Sequence, residues 1–193
     1  MKKFELTNEF VTNMFGTKLF RIRALVEFGD VEAGELGGYV EKESNLGHDD
    51  NAWVYGDAWV YGDAWVYGNA LVCGNARVYD NARVYGDAWV YGNALVCGNA
   101  RVYDNARVCG DALVCGDARV CGNGDYAYAH GFGSVNRTTT FFRLKDGGVG
   151  VRCGCFYGTL AQFRDKIRET HGETKKAQEY LMLADLMKLR FEK

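Results

Sequence analysis

With 193 residues and a formal net charge of −2, the chain can bury a sizeable core, and its total charge gives no reason to favour long nucleic acid or a membrane surface. Seven cysteines, an odd number, follow an N-terminal MKKFELTNEF whose lysines have no apolar segment behind them; cytoplasmic, reduced thiols are expected, with no signal peptide or membrane span. Proline is absent and glycine numbers 25, so periodic tight turns are favoured over proline corners.

The first predicted element is LFRIRAL at 19–25, whose alternation is that of a half-buried strand, within a strand-rich N-terminal cap over 1–33. AGELGGYVEKESNLG at 33–47 then leads into a repeat. Counted in sixes, Val40 and Leu46 fall in the phase later held by alanine, while Lys42 and His48 fall in the valine phase, so any coil there is expected to be irregular.

From Ala52 to Ala118 an alanine occupies every sixth position, and from Val54 to Val120 a valine does the same, giving twelve hexads Ala-x-Val-[Tyr/Cys]-[Gly/Asp]-[Asp/Asn]. A helical period of 3.6 cannot hold phase with a strict six, whereas short strands between sharp turns can. Alanine and valine, two apart, face inward together; the Gly/Asp-Asp/Asn pair supplies turns that tolerate left-handed backbone angles. Tyr126 and Phe132 keep the valine phase while His130 falls in the small slot, so the coil is expected to finish by about residue 130. The repeat domain is therefore placed at 34–130, with regular hexads over 52–123.

The remaining 131–193 is predicted as an α/β cap or oligomerisation module. TTTFFRLKDGGVGVRCGCF reads as a two-stranded hairpin turning at Lys145–Gly148. Thr159 with Gln162 forms a capping box for a helix carrying Leu160, Phe163 and Ile167, stopped at His171-Gly172; a second helix is expected from about Glu173 to Arg190.

The hexads resemble those of left-handed β-helices, in which a branched aliphatic and a small residue fill a prism and three hexads complete a coil of eighteen residues. That resemblance implies a mainly β chain: a left-handed parallel β-helix with an N-terminal strand cap and a C-terminal α/β cap. The flanking words, GGYVEKESNL ahead of the repeat and TTFFR, CGCF-x-GTL and HG after it, are similar to those of uncharacterised hexapeptide-repeat proteins of phages and prophages, which implies a phage setting and a host-cell cytoplasm without assigning an activity.

Three hexads per coil stack residues eighteen apart into outward ladders. One face carries Trp53, Leu71, Trp89 and Arg107; a second carries Trp59, Arg77, Leu95 and Leu113; a third carries Trp65, Arg83, Arg101 and Arg119 beside Tyr67, Tyr85 and Tyr103. Guanidinium forks beside tyrosines suit phosphate or carboxylate with stacked bases, so Arg83, Arg101, Arg119, Tyr67, Tyr85 and Tyr103 are the candidate site for a nucleotide or other small anionic ligand. Leu95, Leu113, Cys97 and Cys115 form an apolar face expected to be covered by another subunit, in a homotrimer. A host protein on the Trp53/Trp89 face, in a scaffold role, is the second reading. Residues 65–83 recur identically at 89–107, an offset of 24 that moves each copied side chain to the next face.

Many hexapeptide-repeat proteins are trimeric acyltransferases that bind coenzyme A and use a histidine base; under that third reading the base would be His48 or His130. The repeat itself contains no histidine and no inserted loop. Cys153 and Cys155 lack the further ligands of a zinc set, so no metal and no cofactor are expected.

Overall fold

A computed structural model describes residues 1–132 and 136–192. Three strands come first: β1 (Phe4–Thr12), β2 (Lys18–Ala24) and β3 (Leu36–Val40). Each hexad then contributes one two-residue strand, and the twelve sort onto three faces. The first face stacks β4 (Trp53–Val54), β7 (Leu71–Val72), β10 (Trp89–Val90) and β13 (Arg107–Val108); the second stacks β5 (Trp59–Val60), β8 (Arg77–Val78), β11 (Leu95–Val96) and β14 (Leu113–Val114). The third stacks β6 (Trp65–Val66), β9 (Arg83–Val84), β12 (Arg101–Val102) and β15 (Arg119–Val120).

All repeat pairings are parallel and in register at an offset of eighteen, valine upon valine, as in Val66↔Val84↔Val102↔Val120. Every repeat alanine and valine is at most 1% exposed. Between its two ends the prism is filled by the repeat alanines and valines; its stability is the sum of many small burials, each valine contributing about 1.5–3 kcal/mol. The corners turn at residues of positive φ, glycine in most hexads and Asp80 and Asp104 at φ 59 and 53 in two.

The stretch ahead of the repeat is more regular than its six-residue phase predicts. Val40 pairs with Val60, and Leu46 bridges to Val66, both at an offset of twenty. Two extra residues before Val54 shift the count, so Val40 and Leu46 occupy valine positions of a leading coil and neither Lys42 nor His48 enters the prism. Gly38 stands in the small slot, where a Cβ would lie 2.7 Å from Ala58 O and Val54 Cγ1.

That leader closes the first open edge. The first-coil carbonyls of Ala52, Ala58 and Ala64 accept from Lys3 Nζ at 2.8 Å, Tyr39 N at 2.9 Å and Asn45 Nδ2 at 2.8 Å. Phe4, Ile22 and Val31 pack with Trp53 into the prism core. Trp53, expected to face outward, is therefore fully buried, with Phe4 and Phe28 edge-on to its indole.

The opposite edge is closed by a four-stranded antiparallel sheet of β16 (Tyr126–Phe132), β17 (Arg137–Arg143), β18 (Val149–Cys153) and β19 (Phe156–Thr159). The predicted hairpin is thus the middle of a larger sheet, and the last rung of the regular ladders is Arg119–Val120. In the last coil, Leu113 N donates to Thr140 Oγ1 at 2.9 Å and Arg107 N to Asn123 Oδ1 at 2.9 Å. Strand alternation lets β17 serve two cores: Phe142 plugs the prism, while Phe141 packs with Phe163, Ile167, Tyr180 and Met187 beneath the helices. Those are α1 (Leu160–His171), opened by the Thr159/Gln162 capping box, and α2 (Lys175–Phe191). Neither described helix is long and apolar enough to cross a membrane.

Candidate functional site

The third face gathers the predicted residues. Parallel register puts Arg83, Arg101 and Arg119 on consecutive rungs, and adjacent rungs lie about 4.8 Å apart. Unit charges at about 5 Å repel by about 0.8 kcal/mol in bulk water and about 3 kcal/mol at an effective dielectric of 20. Such a ladder therefore favours anions that bridge its members.

Beside it the Tyr67, Tyr85 and Tyr103 rings stack at 4.9 and 5.2 Å, within 7° of parallel. Trp65, 41% exposed, extends the aromatic strip by stacking on Tyr67 at 4.0 Å. Burial within the stack raises the Tyr67 and Tyr103 phenols above their ordinary range, so they remain neutral donors at physiological pH.

Three of the five solenoid arginines have partners of their own. Arg77 lies over Trp59 at 4.4 Å and Arg107 over Trp89 at 5.2 Å. Arg119 donates to the carbonyls of Ala118 and Asn99 at 2.8 and 3.0 Å. Among the described residues, Arg83 and Arg101 form no ion pair with a carboxylate.

The three arginines line an open groove of about 530 Å³ with Asn81, Asn99, Asp117 and Lys145. Lys145 went unrecognised in the sequence because its position depends on docking of the end sheet, where Lys145 N donates to Asp117 O at 3.1 Å. The turn residues of the groove stack at the same offset of eighteen; Asn99 Nδ2 donates to Asp117 Oδ1 at 3.2 Å. Four cations against one carboxylate leave the groove positive in a chain of net charge −2.

The apolar ladder of Leu95, Leu113, Cys97 and Cys115 runs up to the end sheet. Cys115 is buried, Leu113 bonds to Thr140, and a Cβ on Gly116 would run into the Tyr157 hydroxyl of β19. The end sheet thus meets this ladder at its last rung, where Cys115 is buried, while Leu95, Cys97 and Leu113 are half-buried. A hydrogen bond from Cys115 holds the Cys97 thiol below its ordinary range, and the same contact with burial pushes Cys115 up.

The two candidate bases lie at opposite ends of the coil stack. His48 stacks on Phe4 at 4.5 Å; its Nδ1 accepts from Lys3 N at 3.2 Å, so Nε2 carries the proton toward Glu43 at 2.9 Å. Both nitrogens are engaged within the cap. His130 meets Thr138 through Nδ1 at 2.8 Å on the end sheet. Among the described residues, no cluster of three His, Cys, Asp or Glu side chains is disposed to hold a metal, Cys153 and Cys155 included.

In-register parallel rungs, three faces and hexad spacing decide the class. The chain carries a β-solenoid of the hexapeptide-repeat type. A family described as "YdcK Beta solenoid repeat" matches residues 76–92, 94–110, 100–116 and 106–122. These matches lie within the solenoid and its immediate exit, leaving both caps outside. No curated protein matches the chain.

Proposed function

We propose that the solenoid is a non-enzymatic binding protein that takes up a nucleotide or a similar small anion along its third face. The observation that carries this reading is the pair Arg83 and Arg101, held on adjacent rungs without carboxylate partners among the described residues, in a groove bordered by a stacked tyrosine strip. Phosphates would bridge the guanidinium forks, and a base would lie on the aromatic strip, where stacking contributes about 1–3 kcal/mol. Isothermal titration with ADP tests it. The expected result is saturable binding that weakens at least about tenfold in an Arg83→Glu/Arg101→Glu variant with an unchanged circular dichroism spectrum. No heat of binding across a panel of adenine and guanine nucleotides would end this reading.

In the same proposal the protein is phage-encoded and sequesters a host nucleotide signal in the host cytoplasm as a counter-defence factor. The resemblance of the flanking words supports that setting. It would act as a homotrimer joined beside the half-buried Leu95 and Cys97 rungs; light scattering should return three chains per particle, and a single-chain mass would remove the trimer while leaving the anion site standing.

A further inference from the structure

The end domain contains a second cavity that the arginine face does not use. It encloses about 260 Å³ between the end sheet and the helices, with Phe156, Phe163, Ile167 and Tyr180 as its apolar walls. Phe163 lies 5.4 Å from Phe156 and edge-on to Tyr180 at 5.8 Å, so the walls are flat rings held at fixed angles.

The polar groups of the floor satisfy one another. Thr139 Oγ1 donates to Cys153 Sγ at 3.2 Å, Cys153 Sγ donates to Tyr180 Oη at 3.9 Å, and Tyr180 Oη donates to the Phe132 carbonyl at 3.2 Å. At the rim stand two cations, Arg137 and Lys166, with His171 also in the lining, and among the described residues no carboxylate lines the cavity. Lys166 meets Glu169 at 2.9 Å in an exposed pair, a contact of small free energy that a ligand can displace. Arg137 has no carboxylate partner among the described residues.

The Cys-Gly-Cys sequence is explained by this arrangement. Gly154 sits at φ +59, and the Arg137 guanidinium occupies the place where a Cβ would be. Glycine between the two cysteines lets Arg137 lie against the chain at the cavity mouth.

We infer that this cavity is a binding site for a small aromatic carboxylate, its ring held between Phe156, Phe163 and Tyr180 and its carboxylate paired with Arg137 and Lys166. The volume lies just under the usual range for ligand pockets, which suits a single ring and excludes a whole nucleotide. This site is independent of the arginine face.

Phenylacetate is the probe, with benzyl alcohol supplying the ring without the charge and acetate the charge without the ring. Titration of the full chain is expected to show phenylacetate binding at least about tenfold more tightly than either control. Arg137→Gln should bring phenylacetate down to the benzyl alcohol level. Lys166→Gln, on an exposed helix position, should weaken it in the same direction, and Arg83→Glu/Arg101→Glu should leave it unchanged. The assignment is overturned if phenylacetate does not bind, if it binds no better than benzyl alcohol, or if folded Arg137→Gln and Lys166→Gln proteins both retain full affinity.

Discussion

A single residue in this solenoid is answerable mainly to the residue eighteen positions away. Gly98 turns at φ +67, and a Cβ placed on it would meet Gly116 N at 2.8 Å. Gly98→Ala should therefore cost about 2 kcal/mol, from left-handed strain plus the rung contact, read as a lower urea midpoint. Asp80 shows what the same corner accepts in place of glycine: its Oδ2 takes the Gly98 N–H at 3.1 Å. Cys97 depends on its neighbour in the same way. At neutral pH it should be alkylated by iodoacetamide well before Cys115, and Cys115→Ala should slow Cys97 labelling several-fold by removing the donor that favours its thiolate; peptide mass spectrometry reads both rates. The hexad pattern revealed which residues point inward because alternation is local. It could not reveal that Trp53 is fully buried while Trp89, in the same sequence word, is 40% exposed, since that difference is made by a cap folding over one of them.

Elements at the two ends carry the polar obligations that the interior rungs meet for one another. Lys3 is the N-terminal example, its ammonium on the carbonyls of Ala52 and Asp50 and 4.5 Å from the centre of the Phe28 ring. Burial lowers its pKa from 10.5 to about 8. The unfolded chain thus binds the additional proton between those values, so Lys3's contribution to stability rises with pH from about 8 toward 10.5 and is smallest below 8. Lys3→Met should flatten the rise of the urea midpoint between pH 8 and 9.5, a change on the order of 1–2 kcal/mol once solvent screening is allowed for. At the other end, Phe142→Ala would open the prism and should cost about 3–5 kcal/mol, seen as a large drop in melting temperature. These end elements were the least legible part of the sequence. β16 and β19 carry no strong local strand pattern and gain their identity from pairing across the sheet, whereas the helices declared themselves through Thr159, Gln162 and apolar spacing.

As a whole, the molecule is a stack whose length and surface can change separately from its core. Removing residues 83–100, one full coil, would join Ala82 to Arg101 in phase and preserve all three faces. The shortened chain should keep its β-rich circular dichroism spectrum, melt at a lower temperature by the loss of one rung, and bind ADP more weakly because Trp65 then stands directly before Arg101. The arginine ladder was legible because its spacing is the repeat itself; Lys145, which completes the groove, was not, because it arrives from outside the repeat.

The copy of residues 65–83 at 89–107 shows what this geometry allows. A slip of one hexad during copying inserts the same six-residue word, which every rung can bury, so folding survives. Yet everything downstream is carried a third of a turn around the axis, and Trp65 on the face of the arginine ladder becomes Trp89 beneath Arg107 on another. The gene can thus vary the protein's surface by recombination alone, with no substitution and no repacking, because its core keeps time in sixes and its exterior in eighteens.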